Sequence, residues 1–513
     1  MGDQPDEATA KVQCEWLQAL FSISATVGTN YILTAVGSSR LVATGAGSAQ
    51  TRPAVASTAN VLRRTALVSA VYWPTAFAVL SLLFLMGSVE AQQSTTADGA
   101  ATDDPAAQTL TSTEQGRTTI TDSFNSRQAK IKEERRTALS GTEFTWELRT
   151  YDLDRNNSDT SRASAWAIGG SAGFQTGLFR DLFSLGATAY TSQPLYAPND
   201  EGGTKLLTSD QSGYTALGEV YVHFRLSDDL GVMVGQRGFD TPYVSRNDSR
   251  MTPQTFEGIV LQGAMAKDSY QGEWRYGAGY LDKEKEVDSA EFINLAKVAG
   301  ASVDRGVYLA GVNYTQPAGW GLGLVDYYSP DIINIGYIEV KYVIPVAEAR
   351  SVNLSTQYTS EHSVGQDLLT GSSFSADQLG LKAELAPGPA LLTAAYTETG
   401  RGTTVKSPWS GYPGYTSVQY GDFNNAGENA FMLRAACNVK ELPGFSVYGL
   451  WVRGSAPEAP ATQNEYDANL QWSPPSGTML GLMFRARFAY FTQSSTNPVT
   501  EFRFMIFYTP PSK

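Results

Sequence analysis

Glu501-Phe-Arg-Phe-Met-Ile-Phe-Tyr508, close to the end of the chain, decides the fold. Phe502, Phe504, Ile506 and Tyr508 fall on one side of an extended chain, and Glu501, Arg503 and Met505 fall on the other. Period two is the mark of a strand, and a helix would scatter the same residues around its axis. One side needs hydrocarbon and the other needs water. In a membrane-spanning sheet the apolar set faces lipid, with Tyr508 at the periplasmic girdle, and the charged set faces a lumen. A cationic side chain turned outward at mid-depth would cost about 2–4 kcal/mol, which fixes the register.

Working back from that strand, the unit repeats. Eighteen runs of roughly ten alternating residues lie between 143–153 and 499–508, each ended by a turn. Their connections alternate between short ones, such as 227–229, 386–388 and 440–443, and mostly longer ones, such as 193–212, 238–254, 282–303 and 399–426. An even number of strands with tight turns at one end and long loops at the other predicts an 18-stranded antiparallel transmembrane β-barrel. Closure follows because no unpaired strand edge is tolerated in hydrocarbon.

The same facing rule sorts the other strands. Phe144, Trp146 and Leu148 go outward with Glu147 and Arg149 inward; Phe431 and Leu433 go outward with Arg434 inward; Leu480, Leu482 and Phe484 go outward with Arg485 and Arg487 inward. The first strand must pair with the last, so Arg149, Arg485, Arg487 and Arg503 fall on three neighbouring strands near mid-height. A barrel of this size cannot be filled by its own wall, so the lumen is a channel unless loops fold in. Guanidinium groups stay charged and offer forked donors to carboxylates, giving an anionic solute a series of weak sites. The alternative is that these arginines are structural ties to inward Glu147, Glu465, Asp467 and Glu501. A second concentration of charge lies between Leu230 and Gly263: the run from Arg237 to Gln254, broken by Pro242, Asn247, Asp248 and Pro253, reads as a long loop between two strands. It is either a solvated surface loop or one that handles solutes.

Composition agrees. Aromatic residues make up 11% of the 513, with 48 Gly and 26 Tyr, which suits many short strands. The net charge of −13 argues against a nucleic-acid partner. Cys14 and Cys437 are two isolated cysteines with neither disulfide nor zinc spacing. The first 91 residues carry five basic and five acidic side chains, so the net charge belongs to the remainder. Arg63-Arg64, the apolar run 76–86 and Val89-Glu90-Ala91 form a secretory signal peptide, with cleavage expected after Ala91; the rival is an N-terminal anchor helix. The expected organisation is therefore an upstream extension plus signal peptide over 1–91, a disordered or briefly helical periplasmic lead-in over 92–142, and the barrel over 143–513.

Chemistry has little foothold. His223 and His362 are the two histidines, and neither sits by a nucleophile elbow, so an outer-membrane hydrolase is the weaker reading and catalytic residues, cofactor and metal are all expected to be none. A plugged structural or adhesin-type barrel, with 118–139 as plug, is the other alternative.

Several stretches resemble the OprD-type outer-membrane porins: Asp240-Thr-Pro-Tyr243 with Asn247 through Gly258, Asp326-Tyr-Tyr-Ser-Pro-Asp331, His362 through Gly371, Tyr412 through Ser417, Asp422 through Glu428, Leu442 through Phe445, Trp451 through Gly454 and Gly481 through Arg487. The resemblance covers about 140–509 in order. It implies that loops three (238–254) and seven (399–426) fold inward as a narrow eyelet above a basic ladder. On that reading Arg237, Asp240, Tyr243, Asp248, Ser249, Arg250 and Asp422 line the constriction, and Arg149, Arg434, Arg485, Arg487 and Arg503 form the ladder. It also implies passive uptake of small carboxylate-bearing nutrients and amino acids, with outer-membrane lipid and lipopolysaccharide around a monomer or loose trimer. Asn425 stands where the family commonly has Arg, and Leu450 where some members carry a lumen Arg; both changes thin the basic wall.

Overall fold

The computed structural model describes residues 140–265, 272–316, 319–347, 350–457 and 462–511, all within the unit Asp104–Lys513. The expected signal peptide, the lead-in and its helix over 118–139 lie outside the described residues.

Nineteen strands form one antiparallel sheet: β1 (Glu143–Asn156), β2 (Arg162–Gln175), β3 (Phe183–Tyr196), β4 (Tyr214–Ser227), β5 (Leu230–Arg237), β6 (Thr255–Ala264), β7 (Glu273–Lys285), β8 (Phe292–Asn294), β9 (Val307–Thr315) and β10 (Trp320–Ser329) come first. β11 (Ile333–Ala347), β12 (Arg350–His362), β13 (Ser375–Leu385), β14 (Ala390–Thr399), β15 (Asn429–Asn438), β16 (Phe445–Ser455), β17 (Thr462–Trp472), β18 (Leu482–Gln493) and β19 (Val499–Tyr508) complete it. β8 pairs with the end of β7 beyond the point where β7 meets β9, so 18 strands make the wall. β1 pairs with both β2 and β19, and the ring is closed. Within the span expected to be plain loop, β8 leads into a one-turn helix, α1 (Leu295–Val298), capped by the Asn294 side chain. That short excursion left no periodic trace in the sequence.

The facing rule holds along the expected strands. Phe144, Trp146 and Leu148 are 78%, 43% and 56% exposed, whereas Arg149 is buried. Glu501, Arg503 and Met505 are buried on the inner face of β19, and Phe502 is exposed on the outer one. Trp146 and Tyr508 meet at a ring separation of 5.4 Å, and Trp274–Tyr314, Trp320–Tyr342 and Trp472–Phe484 make the same kind of contact elsewhere around the ring. These outward pairs mark the periplasmic girdle. Six residues along from Trp274 and from Trp472, Tyr280–Tyr308 and Tyr466–Tyr490 mark a second level.

β1 departs from the outward-apolar pattern. Asp152 and Asp154 pair across the sheet with outward Phe504 and Phe502, so they too face outward. Asp152 lies six residues beyond Trp146, at the level of the second girdle, where headgroups and water replace hydrocarbon. Arg162 of β2 neutralises Asp154 through two bonds of 2.9 and 2.5 Å. At mid-depth the tolerance ends. Leu324 of β10 faces outward midway between Trp320 and Tyr328, and a Leu324→Arg variant is expected to lose about 2–4 kcal/mol of stability in lipid vesicles, read from urea unfolding; an unchanged midpoint would mean that the outer face of β10 is not in lipid.

Candidate functional site

Inside the wall, two long loops turn inward. The loop between β5 and β6, residues 238–254, crosses the lumen because it is tied at opposite sides of the ring. At one side Tyr243 is fully buried. Its hydroxyl bonds the Thr359 hydroxyl of β12 at 3.0 Å, and its amide donates to the Tyr327 hydroxyl of β10 at 3.2 Å. At the other side Asp248 meets Arg149 of β1: Nη1 donates to Oδ1 at 2.5 Å and Nη2 to Oδ2 at 2.7 Å. Glu147 takes the remaining edge of the same guanidinium at 2.5 Å. Arg250 holds the carbonyl of Thr204, in the loop between β3 and β4, at 3.0 Å, and the Tyr151 hydroxyl donates to the Ser249 carbonyl at 3.3 Å.

The Asp248 side chain is 34% exposed against 10% for Arg149, so the carboxylate is the part that the lumen can reach. Burial pushes its pKa up, but the Arg149 guanidinium and its hydrogen bonds outweigh that and hold the carboxyl below the ordinary aspartate range. A depressed pKa places the tie's contribution above the unfolded value and loses it only as pH falls through the folded one. The tie therefore persists through mild acidification.

The second loop, 400–428, runs along the inner wall like a strap, and wall acids and amides take its donors. Glu361 accepts the Lys406 amide at 2.7 Å, Glu284 the Ser410 hydroxyl at 3.1 Å, Gln378 the Tyr412 hydroxyl at 2.6 Å and Glu339 the Tyr415 hydroxyl at 2.8 Å. The fully buried Trp409 donates from its indole to the Leu295 carbonyl of α1 at 3.3 Å. Farther on, Glu465 and Asp467 of β17 take backbone amides of 419–421, and Glu428 ties down Asn425 at 2.7 Å. Most of these acids were not singled out in the sequence, because an inward Glu looks the same whether it binds a cation or a loop amide.

The arginines expected to form a ladder do share one wall. In the β18–β19 register Arg487 stands directly opposite Arg503, and Arg485 is two residues away on the same face. Like charges in that position destabilise a sheet, so something other than packing is being served. Arg434 lies on β15, with two strands between it and β18. Tyr448, which sequence reasoning missed, spans that gap: Arg434 stacks on its ring at 4.3 Å, and its hydroxyl accepts from Arg487 at 3.2 Å. Arg485 donates to Asn469 at 2.7 Å. Arg503 is buried, with Glu501 at 2.6 Å and the Gln419 carbonyl at 3.1 Å.

Arg149 thus pairs with Glu147 and Arg503 with Glu501, whereas Glu465 and Asp467 accept amides of the strap. Of the residues expected at the constriction, Asp240 pairs with Arg246 at 3.0 Å, Arg237 stacks on Tyr221 at 4.6 Å, and Asp422 bonds Ser417 within the strap. Tyr243 anchors its loop and does not line the opening. Leu450 lies opposite Arg434 and Asp467 in the wall. His223 pairs with the buried, lumen-side Met233, and His362 closes β12. Among the described residues no group of three or more His, Cys, Asp or Glu side chains is placed to hold a metal ion.

A family model described as "outer membrane porin, OprD family" matches residues 138–511. Among solved structures, Pseudomonas aeruginosa OccK9 (OpdG) is similar with a TM-score of 0.67 at 20% identity, covering 74% of this chain and 100% of that one. Pseudomonas aeruginosa OpdK with vanillate gives 0.65 at 19%, covering 73% and 99%. Acinetobacter baumannii OccAB2 gives 0.64 at 21%, covering 74% and 100%. No curated protein sequence matches the chain.

Proposed function

The chain belongs to the OprD family of outer-membrane porins, and from that membership we propose that it is a passive channel selecting small solutes that carry a carboxylate, organic acids and amino acids among them. The observation that supports this reading best is the guanidinium wall: Arg487 faces Arg503 across one strand pair, Arg485 adjoins them, and Tyr448 links Arg434 to the group. Sheet stability disfavours such a cluster, and an anion passing along it is what would reward it. Loop 238–254 narrows the path by crossing the lumen, with Arg237, Asp240, Asp248, Ser249 and Arg250 around the constriction and Asp422 on the strap side.

Arg149 opens the series on β1. Its guanidinium is shared by Glu147 and Asp248, so a solute carboxylate would exchange with an internal one that already has the right geometry. Arg434, Arg485 and Arg487 then offer further weak contacts, as conduction requires. The vanillate of the OpdK structure is itself a carboxylate, which supports the class. Export to the outer membrane would use the signal segment ending near Ala91, with a monomer or loose trimer set in lipid and lipopolysaccharide.

Liposome swelling with matched panels tests the reading. Monocarboxylates and amino acids of a given size are expected to enter faster than uncharged sugars of that size. Entry ordered by size alone would contradict carboxylate selection while leaving a pore in place.

A further inference from the structure

We propose that Glu465 and Asp467 are positioning residues that set the width of the passage, by latching one turn of the strap onto the arginine wall. This rests on the channel reading above. Three consecutive amides of the turn 417–422 are captured by two carboxylates that stand two residues apart on one face of β17. The Gln419 amide donates to Asp467 Oδ2 at 3.2 Å, Tyr420 to Glu465 Oε1 at 2.8 Å and Gly421 to Glu465 Oε2 at 2.7 Å. Glu465 is fully buried and Asp467 nearly so. The turn closes on itself through the Val418 amide and the Gly421 carbonyl at 3.0 Å, and Tyr420 packs on Phe491 of β18 at 4.9 Å.

Once latched, the turn delivers Gln419 to β19. Its side chain donates to Glu501 at 3.1 Å, and its carbonyl accepts from Arg503 at 3.1 Å. Arg503 is thereby engaged by Glu501 and the strap, and Arg485 and Arg487 are the arginines of this wall that a solute meets. The seat also demands a residue without a side chain. A Cβ at position 421 would lie 3.0 Å from Glu465 Oε2 and 2.9 Å from the Phe423 ring. Glu465 gives one oxygen to each of two adjacent amides, whereas a Gln there would offer a single acceptor oxygen and turn an NH2 toward the second amide. The acids therefore hold the loop in place.

The test uses the full chain in lipid, with Cys14→Ala and Cys437→Ala as background and Gln419→Cys as reporter. The rate of reaction with a neutral maleimide reports how often the turn leaves its seat, and the charge-neutral Gly421→Ala variant separates that from any effect of wall charge on the thiol. Adding Glu465→Gln with Asp467→Asn is expected to raise that rate about tenfold, the scale of leaving one buried amide without its acceptor, and to raise single-channel conductance with it. Gly421→Ala adds bulk and no charge, and is expected to move both readouts in the same direction. Unchanged labelling in both variants would overturn the latch, and faster labelling with unchanged conductance would overturn its control of the passage. Absence of current from the unsubstituted protein would instead count against the channel itself.

Discussion

Replacing Arg485 and Arg487 together by Gln is expected to cut carboxylate permeability by about thirtyfold, the result of losing two contacts of about 1 kcal/mol each in a water-filled lumen. The reversal potential in a salt gradient should move toward the cation value at the same time. The sign of the stability change separates this from a structural role. Arg487 stands opposite Arg503, so removing its charge relieves repulsion, and the barrel should be as stable as before or slightly more so. A variant that keeps its reversal potential but unfolds earlier would identify these arginines as wall supports. One that keeps both would leave the guanidinium wall without a transport role.

The second large effect is expected at the Arg149–Asp248 tie. Asp248→Asn removes the charge that docks loop 238–254 onto β1 and leaves Glu147 as the partner of Arg149. With one side chain about a third exposed, the pair falls at the weak end for ion pairs, near 1 kcal/mol, so the ratio of docked to undocked loop changes by about fivefold. Conductance should rise, with more frequent transitions between levels, and selectivity should move toward anions because Arg149 has lost a competitor. Acidification gives an independent check. The Asp248 carboxyl is held below its usual range, so lowering the pH to about 5 should not reproduce the variant. If mild acid alone opened the channel to the Asn level, the tie would not be what holds the loop.

The barrel was legible because a strand in this wall obeys two constraints at once, lipid outside and water inside. Phe144, Trp146 and Leu148 or Phe502, Phe504 and Ile506 declare their facing with no knowledge of neighbours. Closure placed Arg149 beside Arg503's strand by counting alone, and the register of β1 with β19 agrees. The constriction was legible only through resemblance. Loop 400–428 has no period, and its anchors are remote in sequence: Trp409 finds Leu295, and Gln419 finds Asp467 and Glu501. The acids misled most. Glu465 and Asp467 face inward near Arg434 and Arg487, and counter-ion and loop anchor leave the same trace in a strand. Tyr448 was passed over for a related reason, since an inward aromatic looks like filler until its ring is found under one arginine and its hydroxyl against another.

Reconstitution of the purified chain into planar bilayers bears most directly on whether this wall encloses a selective path. The account predicts discrete current steps whose reversal potential under a salt gradient favours anions, despite the net negative charge of the chain. Steps favouring cations, or a silent bilayer, would contradict it.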